Sequence, residues 1–281
     1  MPIRLAVQPS LKDLFTEAAR AERGGRPAAG MFVSSGDPTV TEICASAGLD
    51  YLLIDAEHSP LGLETIQAQL RAMAGYGSIP VVRLPGLDEV LVKQYLDLGA
   101  QSLVVPMVNS AADAEAAVRA VHYPPRGVRG VGSALARSAR WNRVPDYLSR
   151  AAELVTLVVQ VESAAAVGSA AQIAAVDGVD GVFVGPSDLA ASMGLIGQQT
   201  HPDVVAAVKD VVVAVRQSGK FVGVNAFARS QAQDYLDAGA DFVNVGADVA
   251  LLARGTEALA DAWCAPAGEE QGPGTAPRGS Y

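Results

Sequence analysis

Three ionisable residues stand where an apolar segment of this chain ends. The segment Tyr51–Ile54 runs directly into Asp55, and Glu57 and His58 follow within three residues. A fully apolar run is typical of a strand buried on both faces of a parallel sheet, and charged side chains are rarely buried without a partner. A carboxylate can fix the tautomer of an imidazole so that the other ring nitrogen acts as a base. We therefore expect an Asp55–His58 pair that moves a proton, the alternative being a structural histidine.

Two further carboxylates follow apolar segments later in the chain. Glu162 comes directly after Val158–Val161, and Asp188 follows Val182–Val184 by four residues. Taken singly, Glu162 is typical of a surface acid and Asp188 of an acid in the first turn of a helix. Together, at the ends of neighbouring strands, two oxygen ligands suit Mg²⁺ or Mn²⁺, which bind hard donors and keep open positions for water. The pair predicts a metal site.

Arg83 ends the apolar segment Pro80–Val82. A guanidinium at that position can hold both a carboxylate and an enolate oxygen, because its planar fork offers several donors. The alternative is an ion pair with Asp55 across adjacent strands.

The elements that position these side chains are short apolar segments. These segments alternate with stretches of helical periodicity along almost the whole chain. The eight segments are Gly30–Val33, Tyr51–Ile54, Val81–Val82, Leu103–Val105, Val155–Val159, Val182–Val184, Phe221–Val224 and Phe242–Val245. Alternation predicts parallel βα units, and eight units match a TIM barrel, an α/β fold. An open doubly wound sheet is the alternative, but the glycine-rich stretch 127–132 follows two prolines rather than a strand and does not predict a dinucleotide site.

The ends of these segments carry a ring of polar or turn residues. They are Ser34, Asp55, His58, Arg83, Pro106, Gln160, Glu162, Asp188, Asn225 and Gly246. Because the carboxyl ends of barrel strands meet at one mouth, which is where such barrels place their chemistry, we expect these residues to surround one site.

Composition narrows the class of protein. With 281 residues, 50% of them hydrophobic, and 18% charged, the chain can bury a large core, and it has no apolar run of membrane-spanning length. A net charge of −9 argues against a nucleic-acid partner, so we expect a small-molecule substrate. We see no secretion signal and expect a cytoplasmic protein.

Residues 1–264 are predicted to form one barrel domain with an inserted loop at about 122–150, and the Pro- and Gly-rich tail 265–281 is predicted to be disordered.

Six stretches of the chain resemble, in the same order, the class II pyruvate aldolases of the 4-hydroxy-2-oxoheptanedioate aldolase family. The stretches are Ile54–Pro60, Pro80–Arg83, Leu103–Val108, Tyr123–Gly130, Val159–Glu162 and Asp180–Leu189, and the resemblance runs from about residue 30 to residue 255. It implies a TIM barrel that cleaves a 4-hydroxy-2-oxo acid reversibly to pyruvate and an aldehyde in the catabolism of aromatic compounds.

The resemblance also implies roles for individual residues. A divalent cation, Mg²⁺, Mn²⁺ or Co²⁺, would lie on Glu162 and Asp188 and bind pyruvate, with no organic cofactor. Arg83 would stabilise the enolate, and the Asp55–His58 pair would move the proton. The substrate would be lined by Arg83, Gln160, Gly185, Pro186, Ser187 and Asn225. Family members are typically hexamers, trimers of dimers or dimers of trimers, and the segment 130–137 resembles the one that reaches a neighbouring subunit.

One position departs from the family pattern, because Asn225 stands where apolar residues are expected to face the aldehyde. A 2-keto-3-deoxy sugar-acid aldolase is therefore the first alternative. A second is an acyl-CoA lyase of the citrate lyase β type, for which the sequence offers no nucleotide site. A barrel that binds 2-oxo acids without turnover is the third. Lys93, Lys209 and Lys220 fall on predicted helices or at a helix exit, which argues against a Schiff-base aldolase.

Overall fold

A computed structural model of the protein describes residues 5–264. Eight parallel strands form a closed barrel in chain order. They are β1 Ala28–Val33, β2 Tyr51–Asp55, β3 Ile79–Arg83, β4 Ser102–Val105, β5 Thr156–Val161, β6 Gly181–Val184, β7 Phe221–Asn225 and β8 Phe242–Ala247. The predicted TIM barrel is confirmed, and the doubly wound sheet is excluded because β8 pairs with β1.

Helices surround the barrel and connect its strands. They are α1 Glu17–Glu22, α2 Pro38–Ser46, α3 Leu63–Ala72, α4 Glu89–Asp97, α5 Ala111–Val121, α6 Tyr147–Leu154, α7 Ala164–Ala175, α8 Pro186–Ser192, α9 Pro202–Gln217, α10 Arg229–Asp237 and α11 Asp248–Cys264. Across residues 5–264, none of the helices combines the length and apolar character that crossing a bilayer requires. The expected disordered tail, residues 265–281, lies outside the described part of the chain.

The amino-terminal end of the barrel is closed. A 3₁₀ turn, Leu11–Phe15, lies beneath the strands, and the backbone amide of Leu11 donates to Ser102 Oγ over 2.8 Å. The Phe15 ring stacks on Phe221 at 4.3 Å between centroids. Aromatic rings fill the interior above it, and Gly223 leaves the space that the Phe242 ring occupies, since a Cβ there would lie 2.2 Å from that ring. The carboxyl end of the barrel is therefore the end left for substrate.

The inserted loop packs on its own barrel. The Arg129 side chain is fully buried, donates to Asp97 over 3.0 Å and lies 4.5 Å above the Tyr123 ring. Farther along, Val131 and Leu135 are 67% and 87% exposed. The loop is thus anchored by a buried cation at one end and presents apolar side chains to solvent at the other.

Candidate active site

Side chains point alternately to the two faces of each strand, and this alternation directs the predicted residues toward the interior of the barrel. Tyr51 and Leu53 lie in the aromatic core of the barrel, so Asp55, two residues farther along β2, faces the same way. The same counting turns Arg83 inward from β3, where Asp55 and Arg83 are register partners. Asn225 at the end of β7 follows the inward Gly223 by two residues. Asp55, Arg83 and Asn225 therefore face the interior at the same end of the barrel.

Arg83 is held by two carboxylates. Its Nε and Nη2 donate to Asp55 Oδ1 and Oδ2 over 2.9 and 2.8 Å, and its Nη1 lies 2.9 Å from Glu57 Oε2. The guanidinium carbon is 4.9 Å above the Phe32 ring, and both Arg83 and Asp55 are buried. The ion pair considered as an alternative role for Arg83 is therefore present. A guanidinium has five N–H groups, of which two bond Asp55, whereas Glu57 Oε2 accepts no hydrogen bond, so three remain for a ligand.

His58 does not pair with Asp55 through its side chain, which corrects the expected orienting pair. Asp55 Oδ1 instead accepts the backbone N–H groups of Glu57 and His58 at 3.1 and 3.4 Å. The imidazole Nε2 lies 3.8 Å from Glu57 Oε2, and the side chain is 63% exposed. Because Asp55 is already bonded to Arg83 and the loop amides, Glu57 is the carboxylate nearest the imidazole.

Glu57 is a site residue whose role sequence reasoning left open. Burial raises the pKa of Glu57 to about 7, an effect that the attraction of Arg83 opposes and the negative charge of Glu162 supports. A carboxyl group with a pKa near neutrality can both accept and release a proton under working conditions. Its position between Asp55 and His58 was the only sequence signal for this role.

Replacing Glu57 by Gln should change how stability depends on pH. The folded pKa of about 7 lies above the ordinary 4.5, so the unfolded chain ionises first and the carboxyl destabilises the fold as pH rises from 4.5 to 7. We expect metal-free Glu57→Gln to exceed the wild type in free energy of unfolding by up to about 3 kcal/mol at pH 8 and by under about 1 kcal/mol at pH 5. Urea unfolding at both pH values measures this, and an equal difference at the two would contradict it.

Glu162 lies buried just beyond β5. Its Oε1 accepts the backbone N–H of Met107 at 2.7 Å, and its Oε2 is bonded by the Gln160 side-chain amide. Met107 adopts a left-handed φ of 57°, a conformation that costs a non-glycine residue roughly 1 kcal/mol or more. Burial raises the pKa of Glu162, the two hydrogen bonds lower it, and the nearby charge of Asp188 raises it. The backbone is strained to aim a donor at this carboxylate.

Asp188 lies in the first turn of α8, which follows β6, the strand next to β5, and it is exposed. Gly185 precedes that helix, and a Cβ there would lie 2.8 Å from Glu162 Oε2 and 3.1 Å from Gln160 Nε2. Pro186 and Ser187 complete the turn between β6 and Asp188. Residues 5–264 contain no cluster of three or more His, Cys, Asp or Glu side chains that could hold a metal. Two protein carboxylates are thus the most that this site offers a cation.

These donors fit a hard divalent cation. Both are carboxylates, and the buried Gln160 Oε1 next to them has no hydrogen-bond partner. Glu162 has no cation in contact, although Arg83 is close enough to lower its pKa. An oxygen-only set with open positions is the arrangement that Mg²⁺ and Mn²⁺ accept while still binding a substrate.

Ser34, a further member of the predicted ring, has a structural role. Asp248 at the start of α11 accepts the backbone N–H groups of Ser34 and Ser35 at 2.8 and 3.1 Å, which joins β1 to the last helix.

Lys220 lies at the opposite end of the barrel and donates to the Val179 carbonyl oxygen over 2.7 Å. Lys93 and Lys209 lie on α4 and α9. The expectation that these three lysines lie away from the strand mouths is confirmed.

Comparisons with known proteins agree with this geometry. The family model described as HpcH/HpaI aldolase/citrate lyase matches residues 28–255. A 4-hydroxy-2-oxo-heptane-1,7-dioate aldolase of Salmonella dublin is 48% identical over 250 residues, which span 89% of this chain and 94% of that protein. The crystal structure of an HpcH/HpaI aldolase/citrate lyase family protein from Burkholderia cenocepacia J2315 has a TM-score of 0.82 and 40% identity, covering 88% of this chain and 98% of that one. An HpcH/HpaI aldolase from Desulfitobacterium hafniense DCB-2 has a TM-score of 0.79 and 29% identity over 90% of this chain and 98% of its own.

Proposed function

Because this chain belongs to the HpcH/HpaI aldolase/citrate lyase family, we propose that it cleaves a 4-hydroxy-2-oxo acid reversibly to pyruvate and an aldehyde with the help of a divalent cation. It is a carbon–carbon lyase that acts on small molecules, as its curated relatives named aldolases are. The observation that carries the proposal is the Arg83 guanidinium, held by Asp55 and Glu57 at the same mouth as Glu162 and Asp188. Stabilising the enolate of pyruvate requires a fixed positive charge that faces the two carboxylates proposed to hold the metal ion.

Glu162 and Asp188 would hold the cation, for which Mg²⁺, Mn²⁺ and Co²⁺ are the candidates. When bound, such an ion polarises the 2-oxo group and makes the adjacent methyl group more acidic. Gln160 holds Glu162 in place, and Gly185 keeps the space beside that carboxylate open. Pro186 and Ser187 would line the pyruvate side of the site.

Arg83 would stabilise the negative charge that develops on the substrate oxygen. Two of its N–H groups bond Asp55, and Nη1 lies 2.9 Å from Glu57 Oε2 without forming a hydrogen bond, so three N–H groups remain for the substrate. Donors that are already oriented act without reorganisation at the moment of reaction, which is why such groups contribute strongly to catalysis.

His58 and Glu57 would move the proton. His58 is exposed at the mouth, and its Nε2 lies 3.8 Å from Glu57 Oε2. Asp55 would act by holding Arg83 and the loop that carries both residues. Proton transfer between the imidazole and the substrate would interconvert the enolate and pyruvate, or the aldol alkoxide and its hydroxyl form.

The proposal is tested by two measurements on the metal-loaded protein. The first is exchange of the pyruvate methyl protons with solvent deuterium, followed by NMR with Mg²⁺ or Mn²⁺. The second is condensation of pyruvate with a panel of aldehydes, with the products identified by mass. Loss of both activities with retained pyruvate binding would indicate a barrel that binds without turnover. Binding of coenzyme A would instead favour an acyl-CoA lyase.

We also propose that the protein assembles with copies of itself, a hexamer being the arrangement that the family resemblance implies. The last helix supports this, because Asp248 is the one buried residue of α11. Its side chains Leu251, Leu252, Leu259 and Trp263 are 53–85% exposed. The exposed apolar end of the inserted loop, Val131 and Leu135, would add to the same contacts. An apolar face of this extent is typical of an interface.

Replacing Trp263 by Asp should therefore reduce the size of the assembly. Burial of one tryptophan contributes about 4 kcal/mol at 25 cal/mol per Å², and a carboxylate at the same place would oppose burial. Size-exclusion chromatography with light scattering measures the mass of the variant against the wild type, with Glu257→Gln on the same helix as the control. An unchanged mass for Trp263→Asp would contradict a role for α11 in assembly.

The proposed reaction indicates a cellular setting. A 4-hydroxy-2-oxo acid of this kind would be produced by ring-opening catabolism of aromatic compounds, and we propose that the enzyme acts there in the cytoplasm.

A further inference from the structure

Two asparagines face the barrel interior side by side at the mouth. Asn225 on β7 and Asn244 on β8 are register partners. Phe242 belongs to the aromatic core of the barrel, so Asn244, two residues farther along, points inward as well. Asparagine is depleted in strands because it packs poorly on a pleated surface. Two inward asparagines on adjacent strands therefore call for a reason other than folding.

The amide groups of this pair lack hydrogen-bond partners. Asn244 is fully buried, and neither its Oδ1 nor its Nδ2 is bonded. Of the two amide atoms of Asn225, a half-buried residue, only Oδ1 is buried without a partner. A buried polar group without a partner costs roughly 1–3 kcal/mol, and apolar residues of the same size would avoid that cost. The unbonded amides are thus a cost that a bound ligand can offset.

The surroundings place the pair beside the reacting groups. Phe32 on β1 and Phe227, two residues beyond Asn225, lie on either side of β8 with ring centroids 6.5 Å apart. Phe32 also carries the Arg83 guanidinium 4.9 Å above its ring. The Phe32–Phe227 contact therefore connects the end of β7 that carries Asn225 with Arg83.

We propose that Asn225 and Asn244 select an aldehyde that carries a hydroxyl group, an inference that rests on the proposed aldolase function. Asn244 is the positioning residue: when the aldehyde binds, its Nδ2 would donate to Asn225 Oδ1, a bond that the structure itself does not contain. This bond turns Asn225 Nδ2 toward the mouth, where it donates to the hydroxyl oxygen of the aldehyde. The bond between the two amides would satisfy two of the three buried atoms that lack partners, and the bond from Asn225 Nδ2 would recognise the substrate hydroxyl.

Charge favours a hydroxyl over the distal carboxylate of a diacid aldehyde. Within three residues of the end of each strand, Arg83 is the one Arg or Lys side chain, and it already faces Asp55 and Glu57. The next cation on the β7 side is Arg229, which is exposed at the start of α10. Proteins usually bind carboxylates through Arg or Lys side chains, whereas a neutral amide forms a hydrogen bond with a neutral hydroxyl group.

The test compares lactaldehyde with propionaldehyde, which differ by one hydroxyl group, as acceptors for pyruvate in the Mn²⁺-loaded enzyme. We expect the ratio of their kcat/KM values to favour lactaldehyde by about 10- to 100-fold in the wild type. Asn225→Leu and Asn244→Leu should each bring the ratio close to one, and the double variant should lower it no further, because the two residues act as one unit. Asn244→Ala repeats the measurement if leucine does not fit.

Controls separate this role from a structural one. Arg229→Gln should leave the lactaldehyde ratio unchanged. Pyruvate proton exchange involves no aldehyde, so in both asparagine variants we expect it to fall less than the reaction with lactaldehyde does. A variant that lowers both aldehydes and the exchange rate equally would show a structural role and overturn the inference. So would a wild type that shows no lactaldehyde preference, or one that prefers succinic semialdehyde through Arg229. Absence of proton exchange in the wild type would instead overturn the proposed function itself and the inference with it.

Discussion

Arg83→Lys should lower the turnover number for aldol cleavage by about 100- to 1,000-fold, the usual effect of removing one oriented donor from a developing oxyanion. Lysine keeps the positive charge but not the planar fork that binds Asp55 through two bonds of 2.9 and 2.8 Å. An ammonium group would be drawn to Asp55 or Glu57 and away from the substrate. Steady-state kinetics on the metal-loaded enzyme measures the change.

The loss in Arg83→Lys should appear in kcat more than in KM. The substrate oxygen becomes more negative as the transition state is approached, so the contact strengthens along the reaction. A variant that raises only KM would show equal binding of ground and transition states and would contradict this role. Arg216→Lys is the matched control, because Arg216 also bonds an aspartate, Asp241, at 2.7 Å but at the closed end of the barrel.

Glu162→Gln should weaken metal binding and lower cleavage by at least about 100-fold. Of the two carboxylates offered to the cation, Glu162 is the one aimed by the Met107 backbone amide and by Gln160. Chelation of the wild type should likewise abolish cleavage, and Mn²⁺ should restore it. Calorimetric titration with Mn²⁺ gives the affinity, and cleavage is assayed at saturating metal. Full activity after exhaustive chelation, or unchanged Mn²⁺ affinity in the variant, would rule out this site.

The stability of metal-free Glu162→Gln separates ligand loss from misfolding. Burial raises the pKa of Glu162, so the ionised carboxylate destabilises the metal-free fold above its ordinary pKa. The variant should therefore unfold at a higher temperature than the wild type at pH 8. Asp180→Asn is the control, since burial also raises the pKa of Asp180 but its carboxylate bonds the Leu157 amide at the other end of β6. That variant should keep its metal affinity.

Strand-end residues of this site were predictable because the strands are apolar. Asp55 ends a strand whose every residue is buried, and Arg83 ends one in which every residue except Pro80 is buried; the period of two then turns both side chains into the barrel. The partner of His58 was not predictable in the same way. It depends on loop geometry. Asp55 Oδ1 accepts two backbone N–H groups and Asp55 Oδ2 accepts from Arg83, so neither oxygen is free to bond the imidazole.

Asn244 escaped prediction for a different reason. It lies between Val243 and Val245, inside a strand rather than beyond one, and reading only strand ends led to Gly246 instead. An amide at an inward position of a barrel strand was the available signal. The inserted loop was recognised from its length, but its attachment depends on Arg129, whose burial against Asp97 and Tyr123 follows from packing that the local sequence does not specify.

Gly185 makes the proposed metal site traceable in surveys of related sequences. Any side chain at this position would meet Glu162 Oε2 at 2.8 Å, at a backbone φ of −102° that every residue can adopt. The requirement for glycine is therefore one of space beside a carboxylate rather than of backbone freedom. A side chain at this position would displace the end of the Glu162 side chain, so we expect glycine here in related barrels that keep this carboxylate in place beside the proposed cation.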